Sequence, residues 1–230
     1  MLVPPRWGLW DVLGTILGWA LIGLAAAAAL ARLNASVPVA IIVGTAAPWI
    51  AMAGWPLWAT WRRGNGPRID LGLRLSWSDT GWALVGGAVA LLLAGVAALV
   101  TQVFAPDLTS AAAEAARTLH EESGKAPLIL FAAMVMVGAP VVEELFFRGL
   151  VFGALRKRGL GAVLTILLTA LLFSVVHFEP MRLLVLLPSG LVLGWVRWKT
   201  GSTGASMLSH GLINAPGAIA LLVGVPGMTP

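Results

Sequence analysis

The sequence contains no cysteine and no tyrosine, and charged residues make up 11% of it. Without cysteine there can be no disulfide, no cysteine-ligated zinc and no thiol nucleophile, so histidine and carboxylate side chains must carry any chemistry. Hydrophobic residues make up 59% of the chain, against about 45–50% in a soluble domain. The composition predicts a polytopic integral membrane protein, which we expect in the cytoplasmic (inner) membrane.

The tryptophans and the basic residues support a membrane location. Most of the eleven tryptophans lie near the ends of apolar runs, where indole rings suit the membrane–water interface. The formal charge of +5 comes from short basic loops, which indicate topology and contact with anionic lipids. No groove-binding motif or basic helix accompanies them, so the lipid bilayer is an expected partner and nucleic acid is not.

Seven apolar stretches are candidates for helices that cross the bilayer, which takes about 20 residues. They lie near 10–31, 37–61, 81–104, 127–153, 161–178, 182–198 and 203–224. The predicted fold class is therefore all-α, a membrane helical bundle of about 7–8 transmembrane helices, with an eighth only if the last two stretches break at Gly or Pro. We expect one integral membrane domain, in which an N-terminal hairpin and basic loop (1–80) precede a core (81–230).

The charges of the loops predict the orientation of the chain. The loop over 62–79 is basic and the loop over 105–125 is mainly acidic, so the first is expected in the cytoplasm and the second outside. Seven spans then place the N-terminus inside and the C-terminus outside. The alanine-rich segment from Leu108 to Glu122 predicts a short interfacial helix, with His120 on a solvated face.

Three charged residues interrupt the apolar stretch from Leu128 to Leu155. A charge at the centre of a membrane helix costs at least about 2.5 kcal/mol and usually marks function. Glu144 and Arg148 are one helical turn apart, the spacing of an ion pair, whereas Glu143 points about 100° away. Glu143 is therefore free to act as a general base. The alternative is a purely structural ion-pair cluster.

Two later apolar stretches carry histidine. His177 alone is more often a hydrogen-bonded packing residue than a base or ligand. His210 and Asn214 lie one turn apart and could orient a water, hold a metal, donate to an oxyanion, or simply link helices. Helical rise places Glu143 and His177 at one depth, whereas His210 lies only about 10 Å from its loop. We expect helices to tilt or break to bring His210 to the same level.

Taken together, these motifs resemble the CPBP family of intramembrane proteases, also called the CAAX prenyl protease 2 or Abi family. The motifs are Glu143-Glu144-x-x-x-Arg148, Phe173-x-x-x-His177 and His210-x-x-x-Asn214. They fall in a core from about Leu128 to Ala215. Upstream, Asp70-Leu71-Gly72-Leu73-Arg74 resembles the Gly-Leu element that often precedes this core.

The resemblance implies an intramembrane endopeptidase, a hydrolase that cleaves a peptide bond in a membrane-associated peptide or protein, such as a prenylated CAAX-type protein. Carried over by position, Glu143 and His177 would activate the attacking water. His210 and Asn214 would stabilise the oxyanion.

The sequence leaves open whether this site holds a metal. Glu144 and Arg148 would support it in either case. The family is often called a metalloprotease, and Glu143, His177 and His210 could equally form a Zn²⁺ shell with an open water position. A metal-free Glu/His scheme is the competing interpretation.

Two further classes of function remain possible for the same pattern. One is a non-catalytic membrane immunity or regulatory protein on this scaffold, with the polar cluster as a binding cavity or structural network. The other is a transporter with a Glu/His proton relay, although the hydropathy pattern has no inverted repeat to support it. Gly190 and Gly194 form a small-x-x-x-small face that predicts close helix packing.

Overall fold

The computed structural model describes residues 2–105 and 109–223, which form helices joined by short turns. Nine principal helices occur in these ranges: α1 (Leu9–Arg32), α2 (Val37–Ala46), α3 (Trp49–Arg63), α4 (Trp77–Phe104), α5 (Ala111–Ser123), α6 (Lys125–Lys157), α7 (Ala162–Val175), α8 (Leu183–Thr200) and α9 (Thr203–Val223). Two single turns, Pro67–Asp70 and Pro180–Arg182, lie in loops. Leu108, where the sequence predicts the interfacial helix to begin, lies outside the described residues.

All seven predicted apolar stretches are helical, which confirms the all-α membrane bundle. Among the described residues, five helices are long and apolar enough to cross a membrane: Leu9–Arg32, Val37–Arg63, Trp77–Phe104, Lys125–Lys157 and Thr203–Val223. The other two stretches form α7, a shorter apolar helix of 14 residues, and α8, of 18 residues. Both α8 and α9 run unbroken past an internal proline, so the break that would create an eighth span is not present in the described residues.

Hydrogen bonds between loops show which helix ends lie together. Lys157, at the end of α6, donates to the carbonyl of Pro5 at 2.9 Å, and Arg74, before α4, donates to the carbonyl of Thr200 at 2.5 Å. At the other end, Glu179 accepts from the backbone N–H at the start of α5 at 2.7 Å. The basic loops thus gather at one end and α5 lies at the other, as an alternating seven-segment chain predicts.

A polar contact that the sequence analysis missed fastens the N-terminal hairpin, which is α1 packed against α2 and α3. The carboxylate of Asp11, which is 2% exposed, forms an ion pair with Arg63 at the end of α3. It also accepts from the indole N–H of Trp55 at 3.0 Å. Gly14 makes room for that indole, since an added Cβ would lie 2.9 Å from its ring. The hairpin therefore holds its charges at the basic end.

The turn between α8 and α9 is buried, which decides the depth of α9. Thr203 is fully buried, and its backbone N–H donates to the carbonyl of Gly72 at 2.8 Å. Gly72 has a φ of +65°, and a Cβ there would lie 2.7 Å from the carbonyl of Gly201, so the position requires glycine. Because α9 begins inside the bundle, His210 reaches the interior without any break in the helix.

Candidate active site

Glu144 and Arg148 form the predicted ion pair. The Oε1 of Glu144 lies 2.8 Å from the Nη1 of Arg148, and both side chains are fully buried. Arg148 also donates from Nη2 to the carbonyl of Gly190 at 2.9 Å. The close helix packing predicted for Gly190 is confirmed, since an added Cβ would lie 3.1 Å from the Cα of Ala170. This approach of α8 to α7 brings a backbone carbonyl to the guanidinium.

His210 joins the ion pair to the second carboxylate. Its Nδ1 lies 3.0 Å from the Oε1 of Glu144, and its Nε2 lies 3.9 Å from the Oε2 of Glu143. Because a carboxylate paired with Arg148 accepts hydrogen bonds, the ring hydrogen belongs on Nδ1. The Nε2 atom therefore faces Glu143.

The ring orientation of His177 is fixed by the backbone of its own helix. Its Nδ1 lies 2.6 Å from the carbonyl of Phe173, and a carbonyl only accepts, so Nδ1 carries the hydrogen. In the neutral imidazole this leaves a lone pair on Nε2. The Phe173 ring contacts both imidazoles edge-on, with centroid distances of 4.7 Å to His177 and 5.7 Å to His210. One aromatic side chain thus holds the two histidines apart.

Glu143 and His177 line one cavity of about 160 Å³, as expected from their equal depth in the sequence. The rest of its wall is mainly apolar and consists of Thr15, Ile16, Trp19, Trp49, Met52, Phe146, Phe147 and Val176. The Oε2 of Glu143 is buried and has no hydrogen-bond partner among the described residues. The cavity is roomy enough for water, which needs about 10–15 Å³.

Asn214 lies one turn beyond His210 and binds the backbone of α6. Its Nδ2 donates to the carbonyl of Val135 at 2.9 Å. Val135 lies in a π-helical segment, Met134–Gly138, where a carbonyl pairs with the N–H five residues on. For Val135 that residue is Pro140, which has no N–H. Asn214 therefore satisfies the carbonyl that Pro140 leaves open, and one of its two amide hydrogens is occupied.

A second π-helical segment, Leu145–Val151, follows Glu144 directly. The two segments enclose the six-residue α-helical stretch Ala139–Glu144, which carries both carboxylates. π-helical turns inside α-helices are frequent at functional sites, because they change the direction of side chains relative to a regular helix. Neither segment is visible in the hydropathy pattern.

The donor atoms suit a metal, although they are not gathered around one point. His177 and His210 each have Nδ1 against an oxygen acceptor, which leaves Nε2 for a metal, as in metal-binding histidines. Over residues 2–105 and 109–223, no group of three or more His, Asp or Glu side chains is close enough to hold a metal ion. The zinc shell of Glu143, His177 and His210 stays a prediction.

The sequence analysis missed the part of the cavity wall that comes from the N-terminal hairpin. Trp19 and Trp49 line the cavity, and the Trp19 ring stacks on Phe178, next to His177, with centroids 6.3 Å apart. Tryptophans near the ends of apolar runs are typical interfacial anchors. These two lie in the middle of their runs, and that position was the available signal.

Comparison with known proteins agrees with the motifs. Residues 125–216 match the family model described as Type II CAAX prenyl endopeptidase Rce1-like. The match covers 92 of the 230 residues and agrees with the resemblance to the CPBP family. The resemblance is confirmed, and at the level of the family the segment is that of a CAAX-type intramembrane protease. No curated protein and no solved structure matches the chain.

The family segment, residues 125–216, supplies the titratable side chains of the site. It begins at α6 and ends within α9, so it contains the three motifs and the two π-helical segments. The helices α1 to α5 precede it. The apolar wall opposite Glu143 therefore comes largely from outside the family segment, from α1 and α3.

Proposed function

We propose that this protein is an intramembrane endopeptidase of the cytoplasmic membrane, which cleaves a membrane-associated protein with a water held between Glu143 and His177. The observation that carries the proposal is the cavity that Glu143 and His177 both line. Within the described residues, the buried Oε2 of Glu143 has no hydrogen-bond partner, and the Nδ1 of His177 is taken up by a backbone carbonyl. A water placed there would meet a hydrogen-bond acceptor on either side.

The proposed reaction is the addition of water to a peptide carbonyl. Glu143 takes one proton from the water while the water oxygen bonds to the carbonyl carbon. The electron pair of the C=O bond moves to the carbonyl oxygen. His177 accepts the other O–H and orients the attack. The proton on Glu143 then passes to the leaving nitrogen as the C–N bond breaks.

His210 would stabilise the oxyanion of the intermediate. In this step the ring carries a second proton, on Nε2, which it takes up before the peptide bond reacts and keeps throughout. Nε2 then donates to the oxyanion, while Glu144 accepts from Nδ1 and balances the positive charge of the ring. Arg148 in turn keeps the Glu144 carboxylate in place through their 2.8 Å ion pair. Asn214 would contribute the amide hydrogen that Val135 does not use.

The test is cleavage of a fluorogenic C-terminal peptide, with and without a farnesyl group, by protein purified in detergent. We expect Glu143→Gln to lower kcat by about 10²–10⁴-fold, the usual contribution of a general base. Glu121→Gln, an exposed carboxylate on α5, is the matched control and should leave kcat unchanged. Thermal unfolding of each variant shows whether it is folded.

Two results would overturn the proposal. If a folded Glu143→Gln variant cleaves as fast as the parent, Glu143 is not the general base. A folded parent that cleaves neither peptide, nor a panel of other membrane-associated peptides, would favour the non-catalytic regulatory alternative. Comparison of the two parent peptides decides whether the substrate must be lipid-modified.

The metal-dependent version of the proposal uses the same residues. Glu143, His177 and His210 would hold Zn²⁺, which when bound lowers the pKa of a coordinated water and so assists its ionisation. Elemental analysis of the purified parent and of His177→Ala distinguishes the versions. One zinc per chain that is lost in the variant supports the metal, whereas full activity after exhaustive chelation supports the metal-free scheme.

A further inference from the structure

Trp49 lies between two cavities. The first, of about 160 Å³, contains Glu143 and His177. The second, of about 230 Å³, lies between the α2–α3 junction, α5 and the first half of α6. Trp49 lines both. The indole ring is therefore a partition between the cavity of the candidate site and an apolar space behind it.

The partition is held by the backbone of α6. An added Cβ at Gly138 would lie 2.7 Å from Cζ3 and 2.8 Å from Cη2 of Trp49, so the ring rests against this glycine. Gly138 is the last residue of the first π-helical segment and precedes Glu143 by five positions. The same stretch of α6 thus carries the candidate base and the seat of the indole.

The size of the first cavity limits what can lie beside Glu143. A dry protein cavity of about 150 Å³ holds one benzene molecule, so a cavity of about 160 Å³ holds one apolar side chain. A longer chain would need the space behind the indole. Replacing the ring by a methyl group would join that space to the first cavity.

We infer that Trp49 is a specificity-determining residue, which sets the length of the apolar group that a substrate can place beside Glu143 and His177. The inference rests on the proposed function, because it concerns the same cavity. It adds a determinant from outside the family segment of residues 125–216. The family core provides the reacting groups, and the indole of the N-terminal hairpin limits the size of the substrate.

The experiment measures kcat/KM for peptides that carry an alanine, a leucine, a phenylalanine or a linear octyl side chain next to the scissile bond. The parent should prefer leucine or phenylalanine over the octyl chain by at least about tenfold, within the range by which enzymes reject misfitting apolar groups. Trp49→Ala should remove or reverse that preference. Trp61→Ala, which removes an exposed indole from the same helix, is the matched control and should keep it.

Two other variants keep the test decisive if Trp49→Ala does not fold. Trp49→Phe leaves a smaller ring and should give an intermediate preference. Gly138→Ala adds a methyl group 2.7 Å from the Trp49 ring, so the ring must shift. The length preference should then change although Trp49 itself is unaltered. Unchanged preferences in folded forms of these variants would overturn the inference.

Binding separates a failure of this inference from a failure of the proposed function. Fluorescence anisotropy gives the affinity of each labelled peptide for Glu143→Gln, with and without Trp49→Ala. Tighter binding of the octyl peptide only in the double variant supports the inference even if no protein cleaves. Equal affinities in both proteins, together with normal cleavage by the parent, would overturn the inference and leave the endopeptidase standing.

Discussion

The helix α6 and the N-terminal hairpin are equally apolar in outline but differ in how they are used. In the most apolar 18-residue window of each segment, the buried share is 44% for α6, 11% for α1 and 6% for Val37–Arg63. Charged residues lie in the middle of α6, between other helices. The hairpin faces mainly outward and holds its Asp11–Arg63 pair at its end. Burial by neighbouring helices is therefore what permits charged side chains in the middle of an apolar helix.

The two regions also divide the cavity between them. Both titratable groups that line it, Glu143 and His177, come from the family segment of residues 125–216, while the hairpin contributes a wall that contains Trp19, Trp49 and Met52. A wall that faces lipid on its outer side has few constraints except size and apolarity. This division predicts that substitutions in α6 abolish stability or activity, and that substitutions in the hairpin alter selectivity.

The largest effect on stability should come from breaking the polar network of α6. Arg148→Ala leaves Glu144 buried without its cation, which in protein interiors costs about 3–5 kcal/mol. We expect a strong fall in the unfolding temperature in detergent. Removing Glu144 as well should recover part of the loss, because no unpaired charge then remains.

An exposed ion pair is the control for this prediction. Arg117 and Glu114 on α5 lie 3.0 Å apart, with both side chains nearly half exposed, so Arg117→Ala should cost at most about 1 kcal/mol. Equal losses for Arg148→Ala and Arg117→Ala would mean that water reaches the interior pair. The contrast between a buried α6 and an exposed periphery would then not hold.

The sequence predicts the helices and the ion pair because both depend on local physics. A membrane-spanning segment must satisfy its own backbone hydrogen bonds, so an apolar run becomes a helix. Glu144 and Arg148 meet because they are one turn apart. The shared depth of Glu143 and His177 likewise follows from helical rise measured from a common loop.

The remaining features depend on contacts between distant parts of the chain. The bond from Asn214 to Val135 requires a π-helical register that has no hydropathy signal. The depth of His210 depends on the buried turn before α9, where Thr203 donates to the carbonyl of Gly72, and α9 reaches it without a break. The role of Trp49 is invisible because an indole inside an apolar run has the same appearance whether it faces lipid or a cavity.

A pair of leucine truncations compares the two regions directly. Leu150 in α6 is fully buried, whereas Leu21 in α1 is 66% exposed. Leu150→Ala should cost on the order of 2 kcal/mol, because it leaves a cavity in the core. Leu21→Ala should change stability by less than about 0.5 kcal/mol, as outward-facing substitutions usually do. Chemical unfolding in one detergent measures both, and a large loss for Leu21→Ala would indicate that this face packs against protein.

A smaller effect than that of Leu150→Ala is expected for the Asp11–Arg63 ion pair at the end of the hairpin. Asp11→Asn removes the charge that pairs with Arg63 but keeps an oxygen that can accept from the indole of Trp55. Arg63 is one-third exposed, so water screens the pair, and we expect a loss of about 1 kcal/mol. Asp11 lies on the same helix as Ile16 and Trp19, which form part of the cavity wall. Loss of its ion pair should therefore loosen the wall and raise KM modestly, while kcat stays at the parent level because the reacting groups are unchanged. Steady-state kinetics separate the two constants, and a fall in kcat comparable to that of Glu143→Gln would show that the hairpin takes part in the chemistry and does more than shape the cavity.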